Sequence, residues 1–159
     1  MPLVPVAFAV PERFEHLEFV IRKLTVNDTA LDYKAVMSSI GIIGRTRGGD
    51  WPTAALTLAE DRVDLAEHER EFEARIGFAY TVVSPDETEC LGCVYFYPPG
   101  HRGAATAGAD VDVSFWVTHA AYDNGLYRVL FDAIEGWLDA AWPFRKVAYS
   151  NVVLPGSPA

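Results

Sequence analysis

Basic residues are the scarce class in this chain: 13 lysines and arginines stand against 22 acids in 159 residues, a net charge of -9. A surface of that sign repels phosphate backbones and anionic lipid, which argues against nucleic acid and membrane as partners. An amine ligand suits the balance, as does plain solubility. Cysteine is nearly absent. Only Cys90 and Cys93 occur, no second pair accompanies them, and His16, His68, His101 and His119 are scattered, so no metal site is expected. The C-x-x-C lies in the strand-like run CLGCVYFY, where residues three apart point to opposite faces, and both read as small core residues. Long apolar runs are missing too. Met1 to Val10 is apolar, but no basic residue precedes it, it holds Pro2 and Pro5, and it is too short to span a bilayer, so a cytoplasmic location is the default expectation. No Ser-His-Asp set, phosphate-loop motif or paired carboxylates stand out.

What is present is a mixed chain, half apolar and 13% aromatic. A chain of this length buries roughly 70% of its unfolded surface and reads as a single domain, 1–159, with an extended N-terminal arm over 1–16 and a tail over 152–159. The arm carries Pro2, Pro5 and Pro11 and suits an edge strand or a dimer arm. A strand is expected over Glu18–Thr25, then a helix over Asp28–Ile40 with Ala30, Tyr33, Met37 and Ile40 on its inner face. From Gly41 to Pro52 four punctuating residues, Gly44, Gly48, Gly49 and Pro52, are expected to break regular structure. Trp51 lies there, either lining a pocket or anchoring the loop. A second helix is expected over Thr57–Arg75, capped by Thr57 with Glu60 in the capping-box position and with Leu58, Leu65, Phe72 and Ile76 inside. Its charge run, Glu60 to Arg75, reads as a solvated face held by pairs such as Glu71 with Arg75, not as a site.

Strands over Gly77–Ser84 and Glu89–Tyr97 flank the turn Ser84–Thr88, with Tyr95 and Tyr97 on one face. Pro98–Gly108 reads as a mobile loop, a lid or partner contact, whose charged candidates are His101 and Arg102. The organising stretch is Ala109–Leu138. Asp110 to Val117 alternates polar and apolar residues as a half-buried strand does. After Asp123-Asn124-Gly125 the period changes, and Leu126, Val129, Leu130, Ala133, Ile134, Trp137, Leu138 and Ala141 make one helical stripe. A strand leading through a short loop into a helix N-terminus leaves N–H groups facing outward, a seat for a phosphate. Arg145–Ser150 is the last strand, followed at once by Asn151.

This order of elements resembles the GNAT superfamily of acyl-CoA-dependent N-acetyltransferases, over about Phe19 to Asn151. In that family the strand ends near V-x-P, and a loop Q/R-x-x-G-x-G/A wraps the pyrophosphate of coenzyme A. Here Val117-Thr118-His119 and Tyr122-Asp123-Asn124-Gly125-Leu126-Tyr127 occupy those places. Gly125 matches; Tyr122 replaces Gln or Arg, and Tyr127 replaces the last Gly or Ala.

The resemblance implies an α/β (α+β) fold whose mixed, mainly antiparallel sheet is flanked by helices and has splayed central strands. It implies an N-acyltransferase that moves an acetyl group from acetyl-CoA to an amine; the alternative is an inactive module for binding or dimerisation. Acetyl-CoA would be held by Trp116, Val117, Thr118, Tyr122, Asn124, Gly125, Leu126, Tyr127 and Asn151. Asp112 stands where relatives carry a base, or is a plain strand residue; His119 is a candidate proton shuttle, and Tyr149 or Tyr122 a candidate acid for the thiolate. Trp51 and Tyr95 would border the amine, and the Val117 N–H would meet the oxyanion. The family continues past the last strand with a helix and two strands for which VVLPGSPA is too short, so the sheet edge near Tyr149 points to a homodimer.

Overall fold

The computed structural model describes residues 2–156. Its centre is a six-stranded sheet in chain order: β1 (Arg13–Glu15), β2 (Val20–Lys23), β3 (Phe78–Val83), β4 (Cys90–Tyr97), β5 (Val111–Val117) and β6 (Val147–Tyr149). All neighbours are antiparallel except β5 and β6, which are parallel. Parallel strands need a crossover. It is supplied by α4 (His119–Asp123) and α5 (Leu126–Ala141). The remaining helices, α1 (Thr29–Met37), α2 (Ile40–Thr46) and α3 (Leu58–Glu73), lie between β2 and β3 in the chain.

Period-two alternation sends the strands' side chains to two cores. On one face Phe78, Tyr80, Val94, Phe96, Val113 and Phe115 pack against α5, whose Leu126, Leu130, Ile134, Trp137 and Leu138 are buried as their spacing requires. On the other face Ala79, Cys93, Tyr95, Tyr97 and Trp116 meet Ala35, Val36, Ile43 and Leu65 of α1, α2 and α3.

Four expectations change. Gly41–Pro52 is not all irregular, because α2 runs through Gly41 and Gly44 to bury Ile42 and Ile43, and ends before Gly48, whose φ is +82°. The face that α1 buries carries Thr29, Asp32, Ala35 and Val36 rather than Ala30, Tyr33 and Met37. On α3 the Thr57–Glu60 capping box forms as expected, but Leu58 and Ile76 are exposed while Asp61 is buried. The loop before β5 is pinned rather than loose: the Arg102 guanidinium donates to the carbonyls of Arg47 and Gly48 and to Ser150 Oγ.

A register shift corrects the cysteine reading. Val82 pairs with Gly92 while Val83 pairs with Cys90, so Leu91 is an extra residue that bulges to the α5 side. The bulge resets the alternation. Cys90 and Cys93 therefore share the α1–α3 face.

Candidate active site

The described residues enclose a cleft of about 360 Å³ on the α1–α3 face. Its lining comes from four elements: Asp64, Leu65, His68 and Glu71 on α3, Tyr95 and Tyr97 on β4, Asp32 on α1, and Arg47 with Trp51 after α2. Residues 64, 68 and 71 recur at helical spacing, one polar row beside the buried Leu65. Tyr95 and Tyr97 share a face because they are two apart on a strand.

At one end, the Tyr97 hydroxyl donates to Glu71 Oε1 at 2.8 Å and lies 2.7 Å from His68 Nδ1. Its single proton goes to the carboxylate, so its oxygen accepts from His68 Nδ1–H and leaves Nε2 with a free lone pair. Hydrogen bonding to His68, and secondarily to Tyr97, holds the Glu71 carboxyl below its usual range despite partial burial. The His101 ring stacks on Tyr97 at 4.3 Å. Desolvation raises Asp64, opposed by His68. At the other end Arg47 lies over the Tyr95 ring, 4.4 Å from its centroid, and its Nε donates to Ser114 Oγ at 3.2 Å. No carboxylate of the described residues pairs with Arg47. Trp116 Nε1–H donates to the Tyr95 oxygen at 2.9 Å, which ties the cleft wall to β5.

Trp51 and Tyr95 both line this cleft. The three catalytic candidates do not converge. Asp112 is 1% exposed, and its oxygens accept from Arg102 N–H, Thr106 Oγ and Ser150 Oγ at 3.1, 2.8 and 2.6 Å. It braces the loop before β5 and does not line the cleft. His119 is exposed on α4, its Nε2 3.2 Å from Asp123. Tyr149 packs on Phe115 and Phe131, on the α5 face of the sheet, where burial raises its hydroxyl. Asp64, His68 and Glu71 were missed because an acidic run reads as a solvated face; the signal was their i, i+4, i+7 row flanking Leu65.

An acyl-CoA would enter the gap between β5 and β6, where the Val117 peptide is open to it and the Phe115 peptide is held by Asn151. Beyond Val113 and Tyr149 the strands β5 and β6 part, pairing over only three residues. The splay thus lies at the edge of the described sheet, not at its centre. Asn151 fills the first step of this gap: its Oδ1 accepts from Phe115 N–H at 3.0 Å and its Nδ2 donates to Phe115 O at 2.9 Å. Two residues on, the Val117 peptide faces the same gap, and no described residue bonds to it. Gly125 opens α5 with φ +85°, and a Cβ placed there would meet nothing within 4 Å.

Thr118 caps α4, accepting from Ala121 N–H at 3.2 Å, and Asn124 ends it. Tyr127 does not crowd this opening. Its ring stacks on Phe115 in the core, and its hydroxyl accepts from Asn151 and donates to the Val153 carbonyl. Tyr122 lies over it, partly exposed. Leu126 is buried beneath, and Trp116 points to the other face.

No family model matches the sequence, and no curated protein matches it. Solved structures do. A ribosomal-protein-S5-alanine acetyltransferase from Vibrio fischeri aligns with a TM-score of 0.67 at 14% identity, over 86% of this chain and 72% of that one. A putative GNAT-family acetyltransferase from Bordetella pertussis gives 0.61 at 13%, over 81% and 73%. RimL, a ribosomal L7/L12 α-N-protein acetyltransferase in complex with coenzyme A, gives 0.61 at 12%, over 79% and 67%. The alignments cover most of this chain, and the chain has the GNAT fold.

Proposed function

We propose that the protein transfers an acyl group from an acyl-CoA thioester to an amine held in the α1–α3 cleft. The observation that carries this reading is the His68–Tyr97–Glu71 chain, which orients an imidazole with a free nitrogen beside Asp64 in a cleft walled by aromatic rings. An amine arrives protonated. Asp64 attracts the ammonium, His68 Nε2 takes one proton from it, Glu71 stabilises the resulting imidazolium through Tyr97, and the nitrogen's second proton leaves with the departing thiolate as the amide bond forms and the C–S bond breaks. Arg47 suits an acceptor that also carries a carboxylate or carbonyl, such as an amino acid or a peptide N-terminus.

The α5 N-terminus would hold the pyrophosphate, and the Val117 peptide the pantetheine end. Bound there, the group supplies an activated acyl carbon. Asp112 serves this scheme as a positioning residue, through the loop it braces.

The fold-level neighbours are acetyltransferases, which accords with the reading, and one of them was solved with coenzyme A. A second reading, a non-catalytic binding module, draws on Asn151: its amide occupies the Phe115 peptide, and Val153 N–H donates to Thr46 O, so this segment crosses the splay. Calorimetric titration with acetyl-CoA separates the two. Binding in the micromolar range, about -8 kcal/mol, followed by thiol release with an amino acid or peptide panel, is expected. No heat at millimolar ligand selects the binding module.

A further inference from the structure

Below the cleft floor three ligating side chains meet in the core. Asp32, Cys90 and Cys93 bring one ligand atom each within 4.8 Å of one another, and all three residues are buried. They come from α1 and from the bulged end of β4, where the extra Leu91 turns both sulfurs to one face. Next to this cluster is Asp61 of α3, 0% exposed, whose two carboxylate oxygens have no hydrogen-bond partner. It lies within hydrogen-bonding reach of the Asp32 carboxyl.

Two carboxylates facing each other in a core are repulsive, and an unpartnered one costs several kcal/mol. Among the described residues no arginine or lysine answers them with an ion pair. A shared proton or a metal ion would.

We propose that Asp32, Cys90 and Cys93 form a three-residue site for a zinc-like divalent cation, joining α1 to β4, with Asp61 of α3 standing beside Asp32. Two sulfurs and one carboxylate oxygen suit Zn²⁺. The spacing is right: Cys93 Sγ and Asp32 Oδ1 are 3.4 Å apart. A tetrahedron with Zn–S about 2.3 Å and Zn–O about 2.0–2.2 Å has an S···O edge of about 3.5 Å. C-x-x-C is the spacing by which one strand end grips a metal with two thiolates. The bulge is the second requirement, and the structure supplies it. Thr81 Oγ1, 3.6 Å from Cys90 Sγ, and the Gly92 carbonyl, 3.4 Å from it, provide an outer layer. The site is buried, so its role is structural, and it is independent of the transferase reading. Its ion would fix the depth of Asp32, which also lines the cleft.

The test is cobalt titration of the full chain, stripped of metal and reduced. Expected are one Co²⁺ per chain, thiolate-to-metal absorption in the near ultraviolet, visible bands of tetrahedral intensity, and bleaching by Zn²⁺. Cys93→Ser weakens the thiolate band, the double variant Cys90→Ser with Cys93→Ser abolishes it, and Asp32→Asn weakens cobalt binding at least tenfold. Folded native protein without these bands overturns the site and leaves a proton shared by Asp32 and Asp61. Thiolate bands that survive undiminished in the folded double variant also overturn it. Should the double variant fail to fold, native mass spectrometry of the wild-type chain decides, with one bound zinc expected and a metal-free mass refuting the proposal.

Discussion

The two faces of the sheet are built to different rules. Under α5 the core is dry and aromatic: Tyr80, Phe96, Trp137 and Trp142 pack with ring centroids 4.9–6.3 Å apart, mostly edge to face. Under α1 and α3 the same sheet meets Asp32, Asp61, Cys90 and Cys93, with Asp64, His68 and Glu71 opening to solvent. Apolar burial is worth about 25 cal/mol per Å², and buried ionisable groups oppose it. One face therefore holds the domain together, and the other gives up stability for a cleft. Damage to the first should unfold the protein; damage to the second should leave it folded and alter what it does.

The largest effect is expected on the α5 face. Trp137→Ala removes a ring that contacts Phe14, Tyr80, Phe96 and Trp142. It should cost about 3–5 kcal/mol in denaturant unfolding. On the cleft face the signs differ. Asp61→Asn in metal-free protein should stabilise by about 1–3 kcal/mol, because it removes a buried carboxylate with no donor; destabilisation of the metal-free form would show that Asp61 is satisfied. Thr57→Ala at the head of α3 removes a cap whose oxygen accepts from Glu60 N–H at 3.1 Å. That should cost about 1 kcal/mol.

The smallest effect is a pH dependence. Glu71 has a folded-state pKa below its usual 4.5, first through hydrogen bonding to His68. A depressed carboxyl contributes stability that is fully present above the unfolded value and is lost as pH falls through the folded one. Melting temperature should therefore fall below about pH 4.5, and Glu71→Gln should flatten that slope.

The contrast between the faces also explains what could be read from the chain alone. The α5 stripe was legible because apolar periodicity and burial agree there, and β5 was legible as a strand although its polar positions, Asp112 and Ser114, are buried as well. Asp32, Asp61 and the tilt of α1 were not, since a hydrophobic stripe assigns acids to water and these two are inside. The bulge at Leu91 left no mark in CLGCVYFY beyond Gly92, whose added Cβ would lie 2.1 Å from Trp116 O. Without that shift, alternation puts Cys90 and Cys93 on opposite faces. Asp112 drew attention by family position, yet the partners that occupy its oxygens, Thr106 and Ser150, come from a loop and a strand end that sequence does not bring together. Trp51 and Tyr95 were found because large aromatic residues beside a turn or on a strand face suit a pocket wall.

The most direct measurement is turnover of His68→Gln beside its melting temperature, with acetyl-CoA and the amine that gives thiol release in the wild type. Loss of a general base is expected to lower turnover by about 10²–10⁴-fold, with a melting temperature close to that of the wild type. Undiminished turnover in the folded variant would contradict the assignment of the α1–α3 face as the chemical one.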